Sequence, residues 1–447
     1  MMNTLIGYDE FTQKITKLRN LQRMVISIMS CEEKQLLDQI GRLFDYFRTI
    51  SISSDFEIFE GFLYLLVSLS IDFIISQKNQ LSIYLAILKE LISKHSMTEL
   101  FHQSTLFQIF RANKHFILFL LENRAMDISL IKNILSTRKS KHNFFLFFAR
   151  EIKEAYPELY KKRRKQYIEK YGIGTWKEER NKQKLTKYEI RREIHSQEEI
   201  AKIISVDDLD SFLHYISRTD NFSLNYIIKP SLYENNRDIK NQKKGISLLE
   251  YSMVSGSIKI FRFLWLKKAE YFNSSHKYSI IGGNYEIIHI IEEESNYTFD
   301  RNLMHIAIQY YRNDVYAYIL NSLLKTLPTV SQILDFLSSN PINNYEIISE
   351  LLIKQDPQGI DINQEKMILE LKDMIIKYGL NAQRLFVSFF YSFILQQPNI
   401  DVNTKETICC FCSRLSSILT WHFSPIFIIP HCIMLATMVI MRLLNCF

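Results

Sequence analysis

The residues best suited by type to do chemistry lie near the C-terminus. Cys409, Cys410 and Cys412 cluster there, with His422, His431 and Cys432 downstream. Thiolates and imidazoles are the ligands that zinc takes. The spacing argues against zinc, because structural sites use Cys pairs two to four residues apart followed by a second ordered pair. Adjacent Cys409 and Cys410 cannot easily reach one ion, so no metal is expected. His305 is the next candidate, as a base, but a structural role is preferred for it over a catalytic one. His289 lies on a helix and is assigned to a helix–helix interface. No P-loop, GxGxxG turn, Gly-x-Ser-x-Gly elbow or His-Glu-x-x-His pair occurs. Gly172 and Gly174 lack both a preceding strand and a third glycine. The expectation is therefore a non-catalytic protein with no cofactor and no small-molecule substrate.

Charge points the same way. The formal charge is +7, yet Lys161 to Arg192 alone carries 13 Lys or Arg against four Glu, so the rest is close to neutral. Lys161-Lys162-Arg163-Arg164-Lys165 could draw phosphates or act as a nuclear localisation signal. A solvated linker explains it better, since Tyr167, Tyr171 and Trp176 do not amount to a base-stacking platform.

The elements that would position any site read as helices. Apolar residues make up 47% of the 447, enough for a continuous core, while Gly (11) and Pro (8) are scarce. Sheets joined by tight turns need more of both. Phe11, Ile15, Leu18, Leu21, Val25 and Ile28 recur at three- and four-residue steps and share one helix face. Ser30 before Glu33 resembles a capping box that opens a helix from Glu32 to Phe47. Gly61–Ile71 has no charge, is too short for a bilayer and reads as a buried helix. Further helices are expected at Leu81–Ser93, Thr105–Glu122, Ile128–Leu135 and Phe144–Ala155. Pro157 interrupts this pattern, and 156–196 reads as an exposed, partly helical basic linker.

Self-similarity begins after Ser196. Ser247–Ser252 leads to Gly256–Leu264, Ser275–Ser279 to Gly283–Ile291, and Asn302–Ala307 to Arg312–Ile319. The matching turn position falls at Gly256, Gly283 and Tyr311, in steps of 27 and 28 residues. An earlier copy is expected across Ile203–Leu213. Each unit has a short first helix, a turn and an apolar second helix, and one unit alone cannot bury both faces.

These units resemble ankyrin repeats. Asn302-Leu-Met-His305-Ile-Ala307 is similar to the Thr-Pro-Leu-His-x-Ala signature, with Met304 for Leu. In Ser247-Leu-Leu-Glu250-Tyr-Ser252, Glu250 replaces His and Ser252 replaces Ala. The steps are shorter than the usual ~33 residues, so the β-hairpin fingers are expected to be trimmed or lost. Tyr345–Leu352 with Gly359–Asn363, and Leu385–Ile394 with Asn399–Asn403, resemble later second helices and fingers. Asn113–Glu122 and the block before it are similar to the N-terminal domain of unknown function in ankyrin proteins expanded in protists. The resemblance implies an all-α fold, an ankyrin-like solenoid of helix pairs behind an N-terminal helical block, and a binding role for an unknown protein partner.

The expected organisation is an N-terminal helical domain (1–155), a basic linker (156–196), ankyrin-like repeats (197–330), weaker repeats (331–405) and a hydrophobic tail (406–447). Leu415–Met441 carries no Asp, Glu, Lys or Arg over 27 residues, a length that could cross a membrane. Pro425, Pro430, His422 and His431 oppose a spanning helix. A buried cap, a disordered apolar end or a degraded gene end are the other readings. Met1–Glu10 lacks a signal-peptide pattern, and the cysteines form no secreted framework, so a reducing cytoplasmic setting is expected. Membrane association through 415–441 and a nuclear, nucleic-acid role through 161–192 remain as alternatives. The repeat core is assigned to Leu248, Leu249, Gly256, Ile260, Leu264, Gly283, Ile287, Ile290, His305, Ile306 and Ala307. Asn273, Lys277, Tyr278 and Arg301 are assigned to the exposed, partner-contacting face.

Overall fold

A computed structural model describes residues 8–73, 80–137, 142–184, 191, 194–242, 244–295, 300–323 and 343–353. The described residues are mostly helical, with one two-stranded exception. The chain divides into two units. One comprises Met1–Gln22 and Thr326–Phe447, the other Arg23–Lys325.

Of the first unit, the structure describes the start of α1 (Tyr8–Ser30) and a helix at Tyr345–Ile353. The buried side chain of Gln22 ties the two together. Its Nε2 donates to Asn344 Oδ1 at 2.8 Å, and its Oε1 accepts the Tyr345 N–H at 2.6 Å. Arg19 adds a bond to Ser349 Oγ at 2.9 Å. The six apolar positions expected on one face of α1 are all buried. The segments 359–363 and 385–403 lie outside the described residues.

The second unit opens with an irregular helical block. After α2 (Glu33–Thr49) come α3 (Phe56–Asp72), α4 (Gln80–Lys94), α5 (Met97–Leu100), α6 (Gln103–Phe110) and α7 (Lys114–Glu122). Then follow α8 (Ser129–Thr137), α9 (His142–Phe147) and α10 (Ala149–Ala155). Aromatic edges fill its core: Phe47 meets Phe62 at 5.2 Å, Phe59 meets Phe101 at 5.2 Å, and Phe110 meets Phe116 at 5.8 Å. The charge-free stretch 61–71 is a buried part of α3, as its composition suggests.

Several local expectations are corrected here. The expected Ser30–Glu33 capping box does not form; Ser30 ends α1, and Glu32 stands at the cap of α2 without a side-chain bond. The run Thr105–Glu122 is two helices, not one. Asn113 breaks it by accepting the N–H groups of His115 and Phe116 while donating to Ser70 Oγ at 2.9 Å. Phe144–Ala155 is likewise split at Phe148, whose φ/ψ of −100°/17° leaves the helical region. Pro157 follows the break after α10, where Tyr156 leaves the helical region, and it also opens a helix, α11 (Pro157–Lys184), where its missing N–H costs no bond. α11 bends at Gly172, and its inner face buries Arg163 and Tyr167, so this stretch is more than a solvated linker.

From Glu199 the helices come in pairs. α12 (Glu199–Ser205) precedes α13 (Leu209–Ser217), and α15 (Leu248–Ser255) precedes α16 (Ile258–Leu266). α17 (His276–Gly282) precedes α18 (Tyr285–Glu294), and α19 (Arg301–Gln309) precedes α20 (Asn313–Tyr318). Between α13 and α15 lie β1 (Ile227–Ile228), the four-residue α14 (Arg237–Lys240) and β2 (Ile246–Ser247). β1 and β2 pair antiparallel, with Ile227 opposite Ser247 and Ile228 opposite Ile246. Among first helices, α12 packs on α15, α15 on α17 and α17 on α19; among second helices, α13 packs on α16 and α16 on α18. One apolar cluster runs through them, from Ile200 and Ile204 through Leu248, Leu264 and Ile287 to Tyr310.

Candidate functional site

The turn inside each pair is built the same way. Asp207, Gly256, Gly283 and Tyr311 all take a left-handed backbone, with φ of 52°, 66°, 68° and 57°. Left-handed φ reverses the chain at the end of a short helix, and glycine does so without strain. The three positions aligned from sequence alone, Gly256, Gly283 and Tyr311, therefore share one conformation. Gly282 has a second constraint: a Cβ there would collide with the Met253 carbonyl oxygen of α15.

The residue after each later turn bonds back to the preceding pair. Ser257 Oγ donates to Ile204 O at 2.5 Å, Asn284 Nδ2 to Gly256 O at 3.0 Å, and Arg312 Nε to Ile281 O at 3.0 Å. Asp207 works forward, accepting the N–H groups of Lys259 and Ile260, each at 3.1 Å. Asn284 also caps its own helix through Glu286 and Ile287.

Six residues before the turn stand Glu250, Lys277 and His305, and four before it Ser252, Ser279 and Ala307. The latter three are buried, as a small residue must be where first helices stack. Glu250 completes a capping box with Ser247 and accepts Ser275 Oγ of the next pair at 2.7 Å. His305 is half-buried, and that burial lowers its pKa despite the nearby Asp300 carboxylate; Arg301 adds to the lowering. Leu248, Leu249, Ile260, Leu264 and Ile287 are fully buried, while Ile290 and Ile306 are half-buried against the same core.

The four residues assigned to a partner face separate. Asn273 and Arg301 are exposed, the first in the turn just before α17 and the second at the start of α19. Tyr278 is only 3% exposed, which corrects its assignment as a surface contact. α17 has seven residues and neighbours on both sides, so His276, Tyr278, Ser279, Ile280 and Ile281 are all buried. Lys277 is half-buried and already engaged, its Nζ 2.6 Å from Asp238 Oδ1. His289 meets the Tyr318 ring of α20, with centroids 5.6 Å apart.

Lys277 leads to a group that the sequence reading missed. Residues 232–240 fold back as a polar loop ending in α14. Arg237 Nη2 pairs with Asp72 Oδ2 at the end of α3, at 2.8 Å. Asp238 accepts Lys277 Nζ and, at 2.5 Å, the Tyr310 hydroxyl. Lys114 Nζ reaches Leu232 O at 2.5 Å, and the Asn235 N–H reaches Ile194 O at 3.2 Å. Burial pushes the carboxyls of Asp72 and Glu234 up to about 7 and the amine of Lys114 down to about 7. Chemically, this cluster can hold or release protons near neutrality. Its only sequence signal was Asn235-Asn236 ahead of Arg237-Asp238, the start of a capped turn; Asn236 accepts the N–H groups of Asp238 and Ile239.

In the basic stretch, Lys161 pairs with Glu158 at 2.7 Å and Lys165 approaches Glu169 at 3.9 Å, which locally offsets its charge. The cluster Cys409–Cys412 and the tail 415–441 lie outside the described residues. Among the described residues, no helix is long and apolar enough to cross a membrane. No protein-family model, curated protein or solved structure matches the chain.

Proposed function

We propose that the chain is a non-catalytic, cytoplasmic binding scaffold, in which the helix pairs of 199–318 form an ankyrin-like solenoid that presents its loops to another protein. The observation that carries this reading is the recurrence of one device: a left-handed turn followed by a side chain bonded back to the preceding pair. Such a device keeps successive units in register, which is what a stacked array needs to offer an extended surface. The loop before α17 adds a contact candidate, since Phe272 is 58% exposed beside Asn273. An exposed aromatic of this kind is the type of anchor that protein interfaces favour.

The test uses the full-length chain with a photo-crosslinking residue placed at Asn273, at Arg301 or at Arg42 on α2. Crosslinking in cells should give a discrete protein adduct from the first two positions and none from the third. Equal labelling from all three, or none from any, would end the scaffold reading.

A further inference from the structure

We propose that Arg237 and Asp238 form a two-sided latch, fastening the N-terminal helices on one side and the helix pairs on the other, and that the latch loosens when the buried carboxyls beside it ionise. The geometry is that of a rivet. Two adjacent residues of α14 reach different parts of the chain, Arg237 to Asp72 in α3 and Asp238 to Lys277 in α17 and Tyr310 beyond α19. Lys114 of α7 holds the start of the same loop through Leu232 O.

Arg237 and Asp238 keep about a third and a quarter of their side chains exposed, but the carboxyls beside them are sealed from water. Asp72 and Glu234 are each 1% exposed. Each keeps one carboxyl oxygen, Asp72 Oδ1 and Glu234 Oε2, without a hydrogen-bond partner among the described residues. A buried carboxylate with an unsatisfied oxygen is destabilised relative to its protonated form. The neighbours do not reverse this. Asp72 faces the Arg237 guanidinium but also Asp238 and the Tyr310 hydroxyl, and Arg312 lies over the adjoining Phe73 ring. Glu234 accepts the Asn236 N–H at 2.9 Å and faces Lys240 and Tyr251. Lys114 faces Lys240 and the Phe147 ring.

The signs then follow. The carboxyls titrate at about 7 in the closed form, against ordinary values of 3.8 for Asp72 and 4.5 for Glu234. Between those limits the closed form keeps protons that an opened form has lost, so closure weakens as pH rises to 7 and changes no further above it. Lys114 titrates at about 7 when closed, against an ordinary 10.5. From 7 upward the closed form is neutral while the opened form is charged, so closure strengthens with pH.

The test is amide hydrogen exchange of the full-length protein between about pH 5.5 and 8.5, corrected for intrinsic rates and read at α14 and the last turn of α3. The opening constant should climb towards pH 7, by up to about tenfold per pH unit for each carboxyl, and fall beyond it. Asp72→Asn should remove about tenfold per pH unit from the acid limb, and Lys114→Met should flatten the alkaline limb. An opening constant in the wild-type chain that falls from pH 5.5 to 7 would overturn the proposal, because closure would then favour the ionised Asp72. So would an acid limb equally steep in Asp72→Asn.

Discussion

The helical block of residues 33–155 and the helix pairs of 199–318 solve the same packing problem differently. The block relies on large aromatic side chains meeting edge to face, with helices of unequal length broken wherever a cap intervenes. The pairs rely on repetition: one turn conformation, one small buried residue before it and one bond back after it. In the block a given side chain has partners peculiar to itself. In the pairs each side chain repeats a role, so damage to one should reach its neighbours. That difference can be measured.

The largest effect is expected for Leu264→Asp. Leu264 is fully buried in the cluster that runs through the pairs. The change loses about 1.5–3 kcal/mol of apolar burial and adds a carboxylate in a dry site. Hydrogen exchange should show lost protection from α13 to α18, not in α16 alone; an undisturbed melt would break the comparison. Gly282→Ala comes next, at about 2–3 kcal/mol, because its Cβ meets the Met253 carbonyl and the backbone must shift. Chemical denaturation should show the loss, and α15 should loosen along with α17.

Asn113→Ala probes the block. Losing a cap that accepts two N–H groups and donates to Ser70 should cost about 1–2 kcal/mol. Its effect on exchange should stay within α3, α6 and α7; spread into α15 or α17 would blur the contrast between regions. The smallest change is a gain. Lys268 is exposed with φ of 56° just past α16, so Lys268→Gly should stabilise by about 0.5 kcal/mol, seen as a small rise in Tm.

How far the sequence could be read follows the same divide. Repetition made the turns legible: aligning Gly256, Gly283 and Tyr311 found three residues of one backbone conformation, although Tyr311 is not a glycine. Apolar periodicity found most helices of the block but not their breaks. The run through Asn113 stays apolar on both sides, and only the tertiary bond to Ser70 shows why the chain stops there. Tyr278 was placed outside because a seven-residue helix sandwiched between two others has almost no outer face for periodicity to detect. The 232–240 loop was illegible for another reason. Its partners, Asp72, Lys114, Lys277 and Tyr310, are distant from it in sequence, and the loop itself belongs to no repeat.

The backward direction of the turn bonds gives the row of pairs a grain. Ser257, Asn284 and Arg312 each lend a donor to the pair already laid down. Peeling away α19 and α20 leaves behind acceptors, at the Ile281 carbonyl and at the Asp238 and Glu292 carboxylates, which water can serve. Peeling from the α12 end instead leaves behind donors, the Ser257 hydroxyl and the Lys259 and Ile260 N–H groups, whose acceptors have gone. A pair lost from the Tyr318 side thus takes its donors with it, while one lost from the Glu199 side leaves donors on the pair that stays.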